Sequence, residues 1–197
     1  MVNDLFKALI LPLSIGIFLS VITVARSEAA QGSGESSGSP PIRLDLGFGQ
    51  SPPGQHIQIP LTLALPRGTQ VGSTTNEITF PSQLLSFQEV REGLSVELAE
   101  AEIKTDVKPD QDNLDNLVLT VTIVGREGAA IPRGVLADLM FAISNQAQMG
   151  ETIVLKNTVS ALSAGSFPQP VDSIIGSDGE ILIDETPVVF ACFFYMH

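Results

Sequence analysis

Apolar and polar residues alternate along much of this chain, beginning at Ile42. Ile42, Leu44, Leu46 and Phe48 alternate with Arg43, Asp45 and Gly47. Ile57, Ile59, Leu61, Leu63 and Leu65 alternate with Gln58, Pro60, Thr62 and Ala64. Leu117, Leu119, Val121 and Ile123 repeat the pattern, as do Leu139, Phe141 and Ile143. A period of two places every second side chain on one face of an extended segment. Each segment therefore buries one face and wets the other, and turn residues between such segments predict an all-β antiparallel sandwich.

The breakers set the expected boundaries. Ile42 to Phe48 reads as the first strand, and Gly49 to Gln55, with two prolines, as a turn. His56 to Leu65 follows, and Pro60 inside it predicts a sheet edge or a bulge, because proline cannot donate to a ladder. Val71 to Phe80 points Ile78 and Phe80 inward and stops at Pro81; Leu85 to Val90 is a short strand. Gly93 to Lys104 alternates over Leu94, Val96 and Leu98, with one helical turn at Ala99 to Ile103 as the alternative. Asp106 to Asn116 is polar and reads as a loop, and Leu117 to Val124 is the clearest strand. Gly125 to Gly134 predicts a crossing between sheets, and Val135 to Ile143 a central strand. Thr152 to Leu155, a loop at Ser163 to Asp172, a tight turn at Ser177-Asp178-Gly179 and a last strand at Glu180 to Ile183 complete the pattern. The expected total is about nine strands, with none of the regular helices of a βαβ fold.

Both ends differ from this pattern. Ala8 to Val24 is an uncharged, mainly apolar run preceded by Lys7 and followed by Ser27-Glu28-Ala29. Small residues at alternate positions suit signal peptidase, so residues 1–29 read as a signal helix cleaved after Ala29, with an uncleaved anchor as the alternative. Either predicts a secreted, extracellular or cell-surface protein. Residues 30–41 are a Gly/Ser-rich linker and residues 42–184 the sandwich. Residues 185–197 form an apolar tail, Val188 to Met196 being too short to span a membrane as a helix. That tail is expected to be buried, within the sheet or against a partner or a second copy, since an exposed run of this kind aggregates.

The order of these landmarks resembles the cohesin family, close to the bacterial carbohydrate-binding modules. Ile57-Gln58-Ile59-Pro60-Leu61 matches its second strand, and Ile78-Thr79-Phe80-Pro81 followed by Leu85-Ser86-Phe87 matches its inward aromatic strand and proline turn. Leu119 to Gly125, Gly134-Val135-Leu136-Ala137 with Phe141, Gly150-Glu151-Thr152 and Asp178-Gly179-Glu180-Ile181 follow in the family's order. The resemblance implies a nine-stranded, jelly-roll-like sandwich. It implies binding of a dockerin module on a protein partner, through an exposed sheet face, in polysaccharide degradation or surface assembly. No contacting residue carries over, because those positions vary.

Composition narrows the chemistry. The chain has 197 residues, 44% hydrophobic and 16% charged, and a formal net charge of −12. A phosphate backbone or anionic membrane surface is repelled, so neither nucleic acid nor membrane is an expected partner beyond an N-terminal anchor. Cys192 is the only cysteine, which excludes an internal disulfide; it reads as a buried thiol or an intermolecular link. His56 and His197 are the only histidines and neither lies in a catalytic or metal motif, so no enzyme is expected and no catalytic or cofactor residue is assigned. Asp106, Asp110, Asp112 and Asp115 crowd one loop; Asp110, Asp112 and Asp115 make a weak calcium candidate. Counted from Asp110, Asp115 and Val121 stand where an EF-hand needs Gly and Glu, so a solvated acidic hairpin is the better reading. Asp178 and Glu180 read as turn residues. There is no Trp, and the one Tyr, Tyr195, lies in the tail, so few aromatics remain to stack on sugars. A protein partner therefore ranks above polysaccharide, with a self-assembling surface subunit, joined through the tail, as the third reading.

Overall fold

The structure, a computed structural model, describes residues 40–185. The signal segment with Ala29, most of the linker, and the tail with Cys192, Tyr195 and His197 lie outside the described residues. Eleven strands run in the order β1 (Ile42–Leu46), β2 (Phe48–Ser51), β3 (His56–Ala64), β4 (Val71–Pro81), β5 (Leu85–Glu92), β6 (Glu102–Pro109), β7 (Asn116–Val124), β8 (Gly134–Ile143), β9 (Thr152–Ser163), β10 (Ile174–Ser177) and β11 (Gly179–Ile183). A single helical turn, α1 (Leu94–Leu98), lies between β5 and β6. The strands form a five-stranded sheet, β10-β1-β3-β8-β5, and a six-stranded sheet, β2-β11-β9-β4-β7-β6.

The alternating apolar set fills the space between the sheets. Leu44, Ile59, Leu61, Leu139 and Phe141 from one sheet are buried with Ile78, Phe80, Leu119, Val121, Ile123 and Leu155 from the other. Phe141 packs edge-on to Phe80 at 5.3 Å and to Phe87 at 5.8 Å between ring centroids. That geometry is the one aromatic quadrupoles favour.

The sandwich is all-β as expected, with more strands than nine and with two parallel pairs. The extra strands arise because both ends of the fold change sheets. The expected strand Ile42 to Phe48 divides at Gly47, whose N–H donates to the Pro60 carbonyl at 2.9 Å. A Cβ at Gly47 would lie 2.6 Å from Pro60 Cγ, so only glycine lets the chain pass so close. Beyond this corner the facing reverses, and Phe48, expected inside, is 57% exposed. The C-terminal end does the same at Asp178, so Ser177-Asp178-Gly179 is a corner between sheets rather than a hairpin. β1 pairs parallel with β10, and β2 with β11. Alternation fixes which face a residue takes, not the direction of its neighbour, so the parallel pairing left no trace in the pattern.

Pro60 stands on an interior strand, between β1 and β8, and a register shift follows it at Leu61/Thr62. The bulge was expected and the edge was not. In an antiparallel strand the N–H and C=O of one residue point the same way. Pro60's carbonyl accepts from Gly47, so its nitrogen faces the corner where β1 ends and no ladder donor is needed.

Three further boundaries differ. The helical turn falls at Leu94–Leu98, earlier than Ala99 to Ile103; it tucks Val96 into the core and leaves Leu94 and Leu98 exposed, against the period-two reading. Asp106 is not in a loop: β6 runs to Pro109, and only the tip between Pro109 and Asn116 turns. β9 continues past Leu155 to Ser163. What permits this extension is Asn157, an inward polar residue fully supplied with partners. Its Nδ2 donates to the carbonyls of Leu44 (2.9 Å) and Ser177 (3.3 Å), its Oδ1 accepts from Asn76 Nδ2 (3.0 Å), and its backbone N–H donates to Asp178 Oδ1 (2.8 Å). A part-buried amide paired at both its nitrogen and its oxygen in this way stabilises rather than costs. Asn157 thus fastens the six-stranded sheet to the five-stranded one.

Candidate protein-binding face

The polar half of the alternation builds the surface of the six-stranded sheet. Side chains directly across adjacent strands lie on the same face, with strands about 4.8 Å apart. On β9, β4, β7 and β6 the register lines outward residues into cross-strand rows. Thr158, Glu77, Thr120 and Asp106 form one row; Ser160, Thr75, Thr122 and Lys104 form the next. Lys156, Thr79, Val118 and Lys108 flank them on one side, and Leu162, Ser73, Val124 and Glu102 on the other. The middle of this grid is hydroxyl-rich around a single charge, Glu77, and the other charges sit along its sides.

Threonine suits such a position. Its branched Cβ stiffens χ1 and fills the pleat, so little side-chain freedom is lost on contact. Its hydroxyl both donates and accepts, so it serves a partner of either polarity. Along β6, Lys104 pairs with Glu102 at 3.2 Å and Lys108 with Asp106 at 2.5 Å. The hydrogen bond and negative charge of Asp106 hold the Lys108 ammonium above its ordinary pKa.

At the Leu162 end the grid deepens into a concavity of about 510 Å³. Ser73, Val124 and Leu162 form its floor, and the turns at Glu127-Gly128 and Gly165 to Pro168 its walls. The walls are fixed by backbone hydrogen bonds, Gly165 N–H to the Gly128 carbonyl at 2.9 Å and Gly125 N–H to the Gly72 carbonyl at 2.8 Å. Phe167, on the same loop, is 87% exposed.

The residues singled out from sequence lie elsewhere. Asp110, Asp112 and Asp115 occupy the β6–β7 turn, at the far end of the grid from the concavity. The Asp110 carboxylate accepts from the Asp112 N–H at 3.0 Å, and Asn113 Oδ1 from the Asp115 N–H at 3.1 Å, so these side chains brace the turn. Among the described residues no group of three or more His, Cys, Asp or Glu is placed to hold a metal ion. His56 opens β3 exposed to solvent. Asp178 caps the corner through Asn157, and Glu180 is exposed on β11. No helix among the described residues is long and apolar enough to cross a membrane.

The architecture has relatives. The family model of the cohesin domain matches residues 42–183. The chain belongs to the cohesin family. A search of the curated proteins finds none that matches. Solved cohesins share the fold at low identity. The third ScaC cohesin of Acetivibrio cellulolyticus, in complex with the ScaB dockerin, is 18% identical with a TM-score of 0.59, covering 73% of this chain and 99% of that one. The OlpA cohesin of Clostridium thermocellum, also in a dockerin complex, is 17% identical with a TM-score of 0.58 over 73% and 99%. A non-cellulosomal cohesin from the archaeon Archaeoglobus fulgidus is 14% identical with a TM-score of 0.51 over 73% and 91%.

The grid of this cohesin escaped the sequence reading, although its signal was there. Thr120 and Thr122 are the skipped positions of the clearest strand, and Ser73, Thr75, Glu77 and Thr79 those of β4. Reading for the core uses one phase of an alternation and discards the other. Phe167 was missed because the loop around it has no period at all.

Proposed function

We propose that this cohesin is a non-catalytic receptor for a dockerin-type protein module, and that the partner docks on the β9-β4-β7-β6 face. The observation that carries the reading is the hydroxyl-rich grid, four strands wide, with a concavity at one end. A flat, stiff, mixed-polarity face suits a protein surface better than it suits a small molecule. The signal-like N-terminus and the family support a place outside the cytoplasm, secreted or on the cell surface, in polysaccharide degradation or surface assembly. Hot-spot behaviour predicts that a few central residues carry most of the affinity.

The test is capture from secreted proteins by the immobilised full chain, with and without calcium, read by mass spectrometry. The expected result is calcium-dependent capture of a protein bearing a duplicated calcium-loop module, and a loss of about 30-fold or more in affinity on Thr75→Arg with Thr122→Arg. A folded chain that captures no protein overturns the reading.

Phe167 favours a second reading, a saccharide subsite, because an exposed ring beside a concavity with an apolar floor and hydroxyls at Ser73, Thr75 and Thr122 is a stacking surface. Retention on insoluble polysaccharide that is lost with Phe167→Ala would establish it.

A further inference from the structure

We propose that the free edge of β6 is a homodimer interface. Two copies pair β6 antiparallel about a two-fold axis at Thr105 and join their six-stranded sheets into one. The proposal goes beyond dockerin binding and does not rest on it.

Among the described residues β6 is the last strand of its sheet and is bonded to β7 alone. The orientation of its free groups follows from the ladder. Asp110 donates its N–H to the Asn116 carbonyl at 3.1 Å, continuing the register in which Pro109 faces Leu117. Backbone groups alternate sides along a strand. Lys108, Asp106, Lys104 and Glu102 therefore turn theirs toward β7, and Val107, Thr105 and Ile103 turn theirs to the open edge. Pro109, with no N–H, stands at an outward position, where it removes no bond to β7.

The side chains along this edge are self-complementary. With Thr105 facing Thr105 of the second copy, Glu102 faces Lys108, Lys104 faces Asp106, and Ile103 faces Val107. Each charge meets its opposite, so the ion pairs within each strand, Lys104 with Glu102 and Lys108 with Asp106, gain partners across the axis. On the inner side Val107, 40% exposed, gains cover from Ile103. The outward pairs Thr105–Thr105 and Ile103–Val107 exchange backbone hydrogen bonds, as antiparallel pairs of this parity do.

Charge on an edge strand commonly prevents such pairing. Prevention works when like charges meet. A slip of two residues in one direction sets Lys104 against Lys104 and Glu102 against Asp106; in the other it sets Asp106 against Asp106 and Lys104 against Lys108. The charges oppose these registers and favour the one centred on Thr105. Pairing of this kind buries little surface, so the dimer is expected to be weak and to loosen with salt.

Sedimentation equilibrium on the full chain tests the proposal with two charge reversals. Lys104→Glu with Lys108→Glu makes the edge uniformly acidic, and Glu102→Lys with Asp106→Lys makes it uniformly basic. All four side chains are exposed, so the fold is unaffected. The expected result is a salt-sensitive dimer of the natural chain, monomers of each variant alone, and recovery of a dimer when the two variants are mixed. Thr105→Pro, which deletes an edge-facing N–H and no bond to β7, is expected to be monomeric with an unchanged circular dichroism spectrum. A natural chain that stays monomeric up to about 1 mM overturns the proposal. So does a dimer that survives both reversals, or a mixture of the two variants that stays monomeric.

Discussion

The outer faces of the six-stranded and five-stranded sheets rest on one core and come from strands of the same alternation. β4, β7 and β6 pair without a register shift, and β4 with β9 shifts only between Val71 and Ser73, beside the concavity. In the five-stranded sheet β3–β8 shifts at Leu61/Thr62 and β5–β8 at Phe87/Glu89. A bulge re-aims side chains and increases local twist. The face carrying Gln58, Pro60, Asp138 and Met140 is consequently uneven, whereas the other repeats its rows for the length of four strands. Regular pairing, more than composition, gives one face the flatness that a protein partner requires.

The largest effect is expected where the two sheets cannot be separated. Phe141→Ala removes a ring that packs on Phe80 of the opposite sheet and should cost about 3–5 kcal/mol in denaturant unfolding. Loss on that scale disables both faces together. Asn157→Ala removes the fastening between sheets and leaves the Asn76 amide and the Leu44 carbonyl without their partner, for a cost of about 2–3 kcal/mol by the same measurement. Its effect should centre on the six-stranded sheet, seen as faster amide hydrogen exchange along β9 and β4 than along β3 and β8. The smallest effect sharpens the contrast. Gln58→Arg on the five-stranded face should leave stability within about 0.5 kcal/mol and capture of the partner unchanged in the same binding titration. Equal loss from Gln58→Arg and from Thr75→Arg with Thr122→Arg would remove the distinction between the faces.

The fold was largely legible because alternation records burial directly. Ile42, Ile59, Leu119 and Phe141 were placed inward by period alone, and all are buried. The unread parts share a cause: long-range pairing has no local signature. Gly47 looks like any polar phase of a strand until Pro60 is brought against it. The parallel partners of β1 and β2 lie in the last described residues of the chain. Asn157 and Asn76 broke the expected pattern because their partners come from other strands. The candidate face was present as the unused phase of strands already found, and the edge of β6 was hidden because alternating charges read as a loop when no neighbour is known.

The two parallel pairs give the domain a direction of strength. Ile42 faces Ile174 and Phe48 faces Glu180, so the first and last strands run side by side in one unbroken register through both sheets. A pull toward the N-terminal side of β1 and the C-terminal side of β11 acts along these strands in opposite senses. It loads the bonds of both ladders in shear, all at once, instead of opening them one by one like a zipper. Resistance to such a pull is set by the unfolding rate rather than by equilibrium stability, so a domain of ordinary stability joined at its two ends would hold as a link in a chain under tension.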